Sequence, residues 1–130
     1  MKAVVDTNVI VSAFMNTNGT PAKIVSLILN EKIVVLHDNR IIFEYREVLS
    51  RDEFGFNMES INDMMDFIMA QGEYIQADYL KIKFTDEADK KFYEVYKSGN
   101  AQCLITGNKK HFPKESTILN PKEFLEKFVS

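Results

Sequence analysis

Tryptophan is absent from this chain of 130 residues and cysteine occurs once, at Cys103. A single thiol excludes an internal disulfide and the stapled scaffolds of small secreted proteins, so a cytoplasmic protein is expected. Proline (three) and glycine (five) are scarce, which excludes collagen-like and low-complexity architectures. No apolar stretch approaches the ~20 residues that a membrane span needs, and Met1-Lys2-Ala3 leads straight into a strand pattern. Asn18-Gly19-Thr20 matches a glycosylation acceptor but carries no weight without a secretory signal. An excess of base is also missing: the net charge of −3 argues against a general nucleic-acid binder. That charge is unevenly spread. Residues 51–80 carry one base against seven acids, while residues 81–114 carry eight lysines against four acids. The lysines either solvate exposed faces or offer one side of the protein to a polyanion.

What is present is apolar patterning. Hydrophobic residues make up 45% of the chain, enough at this length for one domain over 1–130 that buries about two-thirds of its unfolded surface. Residues 2–5 read as a short buried strand, followed by one or two helical turns over Val9–Phe14. Thr20 reads as a helix N-cap with Pro21 after it and Ile24, Val25, Leu27 and Ile28 on one face. A second strand covers Ile33–Leu36, and Asp38 or Asn39 caps a helix running to about Leu49. Asn57 caps another, where the methionine-rich repeat over 58–69 reads mainly as core packing. Residues 74–84 are ambiguous. Asp86 caps a helix to about Lys97, Cys103–Ile105 is a buried strand, Thr117–Leu119 a last strand, and Pro121 opens the closing helix. Strands alternating with helices predict an α/β fold of three layers, α/β/α, around a mostly parallel sheet.

Three acids distant in sequence fall where such a fold can aim them at one point. Asp6 ends the first apolar run and opens Asp6-Thr7-Asn8, and sites in open α/β sheets form outside the carboxyl ends of strands. A turn or cap role is its structural alternative. At 100° per residue, Ile41, Ile42, Tyr45, Val48 and Leu49 centre on one helix face. Glu44 lies on the flank of that face and Glu47 points to solvent. Pairing with Arg40 or Arg51 is the alternative for Glu44. Asp89 suits a helix N-terminus on dipole grounds alone, yet a helix feeding the Cys103–Ile105 strand begins near the same sheet edge. Carboxylates gathered about 4 Å apart cost roughly 1–4 kcal/mol per pair, which a divalent cation relieves. Thr106-Gly107-Asn108 follows a strand too, where Asn108 can offer a carbonyl oxygen. Lys109, Lys110 and His111 come next, the lysines placed for a phosphate backbone and the histidine reading as structural. His37 has no evident partner, and Cys103 reads as an inert core thiol.

Five segments in this order resemble the PIN domain, and among its members the toxins of bacterial toxin–antitoxin systems related to the VapC type. They are Val4-Val5-Asp6-Thr7-Asn8-Val9-Ile10-Val11-Ser12-Ala13, Glu44-Tyr45-Arg46-Glu47-Val48-Leu49-Ser50-Arg51, Asp86-Glu87-Ala88-Asp89-Lys90-Lys91-Phe92, Leu104 through Pro113, and Ile118 through Leu125. The resemblance implies a metal-dependent ribonuclease that leaves a 5′-phosphate and a 3′-hydroxyl. It implies that Asp6, Glu44 and Asp89 hold Mg²⁺ or Mn²⁺ with Asn108 beside them, while Thr7, Asn8 and Thr106 support them. It further implies an RNA substrate held by Lys109 and Lys110, a cognate antitoxin and a homo-oligomer, with the helix over 58–69 a candidate surface. Two positions depart from the family pattern: Asn108 stands where aspartate is frequent, and Gln102 matches another family aspartate. Both would weaken metal affinity, and they leave open a PIN fold that binds RNA or protein without cutting. A phosphotransferase of the haloacid-dehalogenase type also begins with a strand and an aspartate, but it requires a second aspartate at the position of Asn8.

Overall fold

Ala3, Val4 and Val5 have no exposed surface, because they form the middle strand of a parallel sheet covered on both faces. The computed structural model describes residues 1–129; Ser130, the last position of the domain expected over 1–130, lies outside the described residues. The chain runs β1 (Lys2–Val5), α1 (Thr7–Met15), α2 (Thr20–Leu29), β2 (Val34–His37), α3 (Asn39–Leu49), α4 (Met58–Gln71) and β3 (Glu73–Tyr74). It continues with α5 (Lys90–Ser98), β4 (Cys103–Ile105), β5 (Ile118–Leu119) and α6 (Pro121–Phe128). The sheet order is β3-β2-β1-β4-β5 and every pairing is parallel. The fold is therefore α/β, with an all-parallel central sheet flanked by helices.

Strand order positions the site. The chain leaves β1 towards β2 on one side, and β4 occupies the other, so the two connections diverge and open a crevice at the carboxyl ends of β1 and β4. The register pairs Val5 with Ile105, which puts Asp6 and Thr106 side by side at that edge. Tyr45 donates its hydroxyl to the Val5 carbonyl and ties α3 to the end of β1. Tyr45, Leu49 and Ile41 are fully buried on that helix. Helix α5 lies against β1, β2 and β4.

Local chemistry explains the boundaries. Asp38 caps α3 by accepting from the Ile41 N–H, and Asn57 caps α4 by accepting from Ser60. Asn120 and Glu123 form a reciprocal capping box ahead of α6. Thr20 does not cap α2: Gly19 holds the extended N-cap backbone, and Thr20 is already helical. Asp86 caps a single 3₁₀ turn, Glu87–Asp89, and α5 proper starts at Lys90. Ile61, Met64, Met65 and Ile68 all enter the core, leaving Met58 and Met69 as that helix's largely exposed large apolar side chains. The ambiguous stretch after β3 is irregular chain pinned to α5, through Leu80 N–H on Glu94 and Asp78 N–H on Ser98. Among the described residues no helix is long and apolar enough to cross a membrane.

Candidate active site

Asp6 takes the N-cap position of α1, yet its carboxylate makes no capping hydrogen bond. Instead Thr106, fully buried, donates its hydroxyl to Asp6 Oδ2 at 2.7 Å. The same hydroxyl oxygen accepts from the Asn108 N–H at 3.0 Å, so its one proton is committed to Asp6. Asn8 bridges the two connections: its Nδ2 reaches Asp6 Oδ2 at 3.4 Å, and its Oδ1 accepts from the Gly107 N–H at 3.0 Å. A Cβ at position 107 would press on that oxygen at 3.3 Å, so glycine permits the approach. Asp6 is only 4% exposed. Burial pushes its pKa up to about 6, the charges of Asp89 and Glu44 add to the rise, and the Thr106 hydroxyl opposes it.

Glu44 and Asp89 stand on either flank. Glu44 accepts the Thr7 hydroxyl on one oxygen and pairs with Lys91 Nζ at 2.6 Å on the other. Its half-buried position fits the flank of α3, while Glu47 is exposed and paired with Arg51. Asp89 meets His111 Nδ1 at 3.0 Å. Burial raises the Asp89 pKa, with Asp86 and Glu44 adding to it against the pull of His111. The structure thus brings Asp6, Thr7, Asn8, Glu44, Asp89 and Thr106 to one edge, with exposed Asn108 beside them.

The oxygen donors suit a hard divalent cation, and Mg²⁺ needs only one or two carboxylates beside its waters. Asp6 carries the observation that fits one: a buried carboxylate, its ionisation opposed by two more, with hydroxyl and amide partners and no ion pair. The side chains do not close round a single point. Among the described residues no three of His, Cys, Asp and Glu gather closely enough to form a cage, because Lys91 draws Glu44 and His111 draws Asp89.

The remaining residues singled out in the sequence take the following places. Gln102 lies at the amino end of β4, where its Oε1 accepts from the Lys2 N–H at 2.9 Å. That is the opposite edge of the sheet, so this position takes no part in the site. Lys109 is held by both oxygens of Glu123, at 2.9 and 3.0 Å, whereas Lys110 is exposed and in no ion pair among the described residues. Cys103 is buried and its thiol is pushed up to about 12 by that burial, an inert core group as expected. His37 is buried with neither ring nitrogen bonded, and burial lowers its pKa. Sequence reasoning missed Lys91 as a partner of Glu44; the only signal was its position two residues after Asp89.

The all-parallel α/β sheet sets acids at the β1–β4 crevice, and the family comparison gives this fold its nuclease-type character. The profile of the family described as "PIN domain" matches residues 2–110, and this chain belongs to that family. It is also 31% identical, over an alignment of 143 positions, to an uncharacterized protein of Methanocaldococcus jannaschii, covering 98% of this chain and 92% of that protein. No solved structure gives a significant match.

Proposed function

We propose that this PIN-domain protein is a metal-dependent endoribonuclease, the toxin of a toxin–antitoxin pair. The observation that carries the catalytic part is Asp6, a buried carboxylate at the end of the central strand whose charge lacks an ionic partner. Asp6, Asp89 and Glu44 would hold Mg²⁺ or Mn²⁺, with the Asn108 amide oxygen as a neutral fourth donor. When bound, such an ion lowers the pKa of a water and neutralises charge developing on a phosphodiester. Thr106 fixes the Asp6 carboxylate with its committed proton, and Thr7 does the same for Glu44. Lys110 is free to meet phosphate, and Lys109 can do so only by leaving Glu123. The toxin role, the cognate antitoxin and self-association are supported by the resemblance of the five sequence segments.

The test is cleavage of a panel of labelled RNAs by wild type and Asp6→Asn, with Mn²⁺, Mg²⁺ or EDTA. Cutting that requires both metal and Asp6 is the expected result. A folded wild type that cuts nothing under any condition would sink the enzymatic reading and leave a binding module, the alternative that Asn108 favours by withholding one negative charge.

A further inference from the structure

The stretch that forms and leaves β4 is free of acid: residues 101–114 hold three lysines, Lys109, Lys110 and Lys114, and neither aspartate nor glutamate. Those lysines rim a cleft of about 730 Å³ whose uncharged lining, Ser116 aside, is apolar: Phe112, Pro113, Ile118 and Leu119. The two acids of the cleft are already matched. Glu123 holds Lys109 at 2.9 Å, and Glu115 is held by Lys97 at 2.7 Å. Lys110 and Lys114 are exposed and in no ion pair among the described residues, so the cleft carries two uncompensated positive charges.

The flank next to β2 has the reverse balance. The clefts around Arg40 are lined by Asp38, Glu44, Glu47, Glu87 and Glu94, and Arg40 and Lys91 are spent on three of these acids. A polyanion is repelled there and attracted at Lys110 and Lys114. Position also ties the lysine cleft to the carboxylate edge. Lys109 and Lys110 directly follow Asn108, whose N–H is bonded to the Thr106 hydroxyl that holds Asp6. Asn108 is uncharged, so the chain joining the edge to the lysines adds no repulsion.

Resting on the nuclease reading, we propose that this cleft is the path by which an RNA strand leaves the carboxylate edge, with Lys110 and Lys114 each meeting a phosphate. Lys109 is a reserve cation, held back by Glu123. The apolar lining offers base edges no hydrogen-bond partners, so the cleft positions the strand without reading its sequence. A phosphodiester strand is favoured over an acidic peptide because the cleft leads directly to the edge at which that reading places a phosphodiester.

The test is fluorescence anisotropy of a labelled single-stranded RNA octamer over a series of salt concentrations, in EDTA so that nothing is cut. It compares wild type, Lys110→Ala, Lys114→Ala, the double variant and Glu123→Gln. Lys23→Ala, on α2, controls for lost net charge, circular dichroism verifies folding, and cleavage is measured separately with metal. Each cleft lysine is expected to account for about 5-fold in affinity near about 0.1 M salt. Its removal should also make the slope of log affinity on log salt about 0.7 shallower, the counterion release of one single-strand phosphate. Glu123→Gln frees Lys109 and keeps a capping side chain, so both readings should move about as far the other way. Lys23→Ala should match wild type. Lysine variants with wild-type affinity and slope would overturn the proposal, as would an equal loss in Lys23→Ala or no RNA binding at all. An octaglutamate peptide that displaces the RNA as efficiently as unlabelled RNA would also overturn it, in favour of an acidic protein segment. The two readings separate cleanly. Wild type that binds through the lysines but cuts nothing supports the cleft and overturns the nuclease. Wild type that cuts, with lysine variants that bind and cut equally well, does the reverse.

Discussion

Two carboxylates with hydroxyl partners sit at opposite ends of the same sheet, and their charges fare differently. At the carboxyl ends of the strands, Asp6 is buried, receives the Thr106 hydroxyl, and has its pKa lifted to about 6 by burial and by its acidic neighbours. At the amino ends, Glu115 stands just ahead of β5. Partial burial pushes it up, but Lys97 at 2.7 Å together with the Tyr93 and Tyr96 hydroxyls holds it below the usual range. That edge is balanced elsewhere too, by the exposed Lys2–Glu73 bridge and by Gln102 on the Lys2 backbone. A carboxylate with its own cation is part of the frame. One buried without a cation is costly to the free protein, and that cost is what motivates the proposed metal at this edge.

The largest effect should come from removing each carboxylate in turn. Asp6→Asn keeps an oxygen to accept the Thr106 hydroxyl and deletes the buried charge. Cleavage should fall below detection, while the metal-free protein at pH 7 should gain stability, on the order of 1–3 kcal/mol by denaturant unfolding. Glu115→Gln should do the opposite, leaving cleavage unchanged and losing a fraction of a kcal/mol, since a half-exposed pair is screened. If Asp6→Asn is less stable than wild type, the strain assigned to Asp6 is wrong.

The pH dependence sharpens the same contrast. Between the unfolded value of 3.8 and about 6, native Asp6 keeps a proton that the unfolded chain has released. Unfolding then releases a proton, so this group's contribution to stability falls as pH rises through that window, by on the order of 3 kcal/mol in full. His37 has the opposite slope: its lowered pKa makes the native state lose stability as pH falls below about 6.5. The difference between wild type and Asp6→Asn isolates the aspartate. In EDTA, urea midpoints of the two should diverge as pH rises from 4 to 7 and converge at the acid end. Parallel curves would show that Asp6 titrates normally.

Much of this was legible in the chain. Apolar runs alternating with capped helices were enough for the α/β class, and a strand-end aspartate is visible as Asp6. Helix angles separated Glu44, on the flank, from Glu47, in solvent, because the period of 3.6 is rigid. The failures share a physical cause, since partners distant in sequence leave no local signal. A residue before a strand and one after it look alike on paper, yet at about 3.3 Å per residue β4 carries Gln102 and Thr106 to opposite edges. The ion pair of Lys109 was not legible because Glu123, its partner, lies in the next helix. Strand β3 has only two residues and owes its existence to β2. Lys90 and Lys91 are neighbours of one type, and only the helix turn between them sends one to Tyr79 and the other to Glu44.

Lys91 gives the smallest effect. Its ammonium is the one cation built into the carboxylate edge beside Glu44, with a side chain only 14% exposed and a bond to the Ala88 carbonyl. That enclosure distinguishes it from surface pairs, many of which contribute nothing measurable. Lys91→Met keeps the stem and removes the charge, so Glu44 loses its partner while Asp6 and Asp89 remain close. The metal-free Tm should drop by a few degrees, equivalent to about 1 kcal/mol in a domain of this size. Mn²⁺, no longer repelled by an ammonium, should bind about 5-fold more tightly by calorimetry, a gain of the same size. Lys91→Arg should restore both values towards wild type. A charge that supports the metal-free protein and opposes the incoming ion must move stability and metal affinity in opposite directions; if both stay fixed, Lys91 belongs with the balanced pairs at the other end of the sheet.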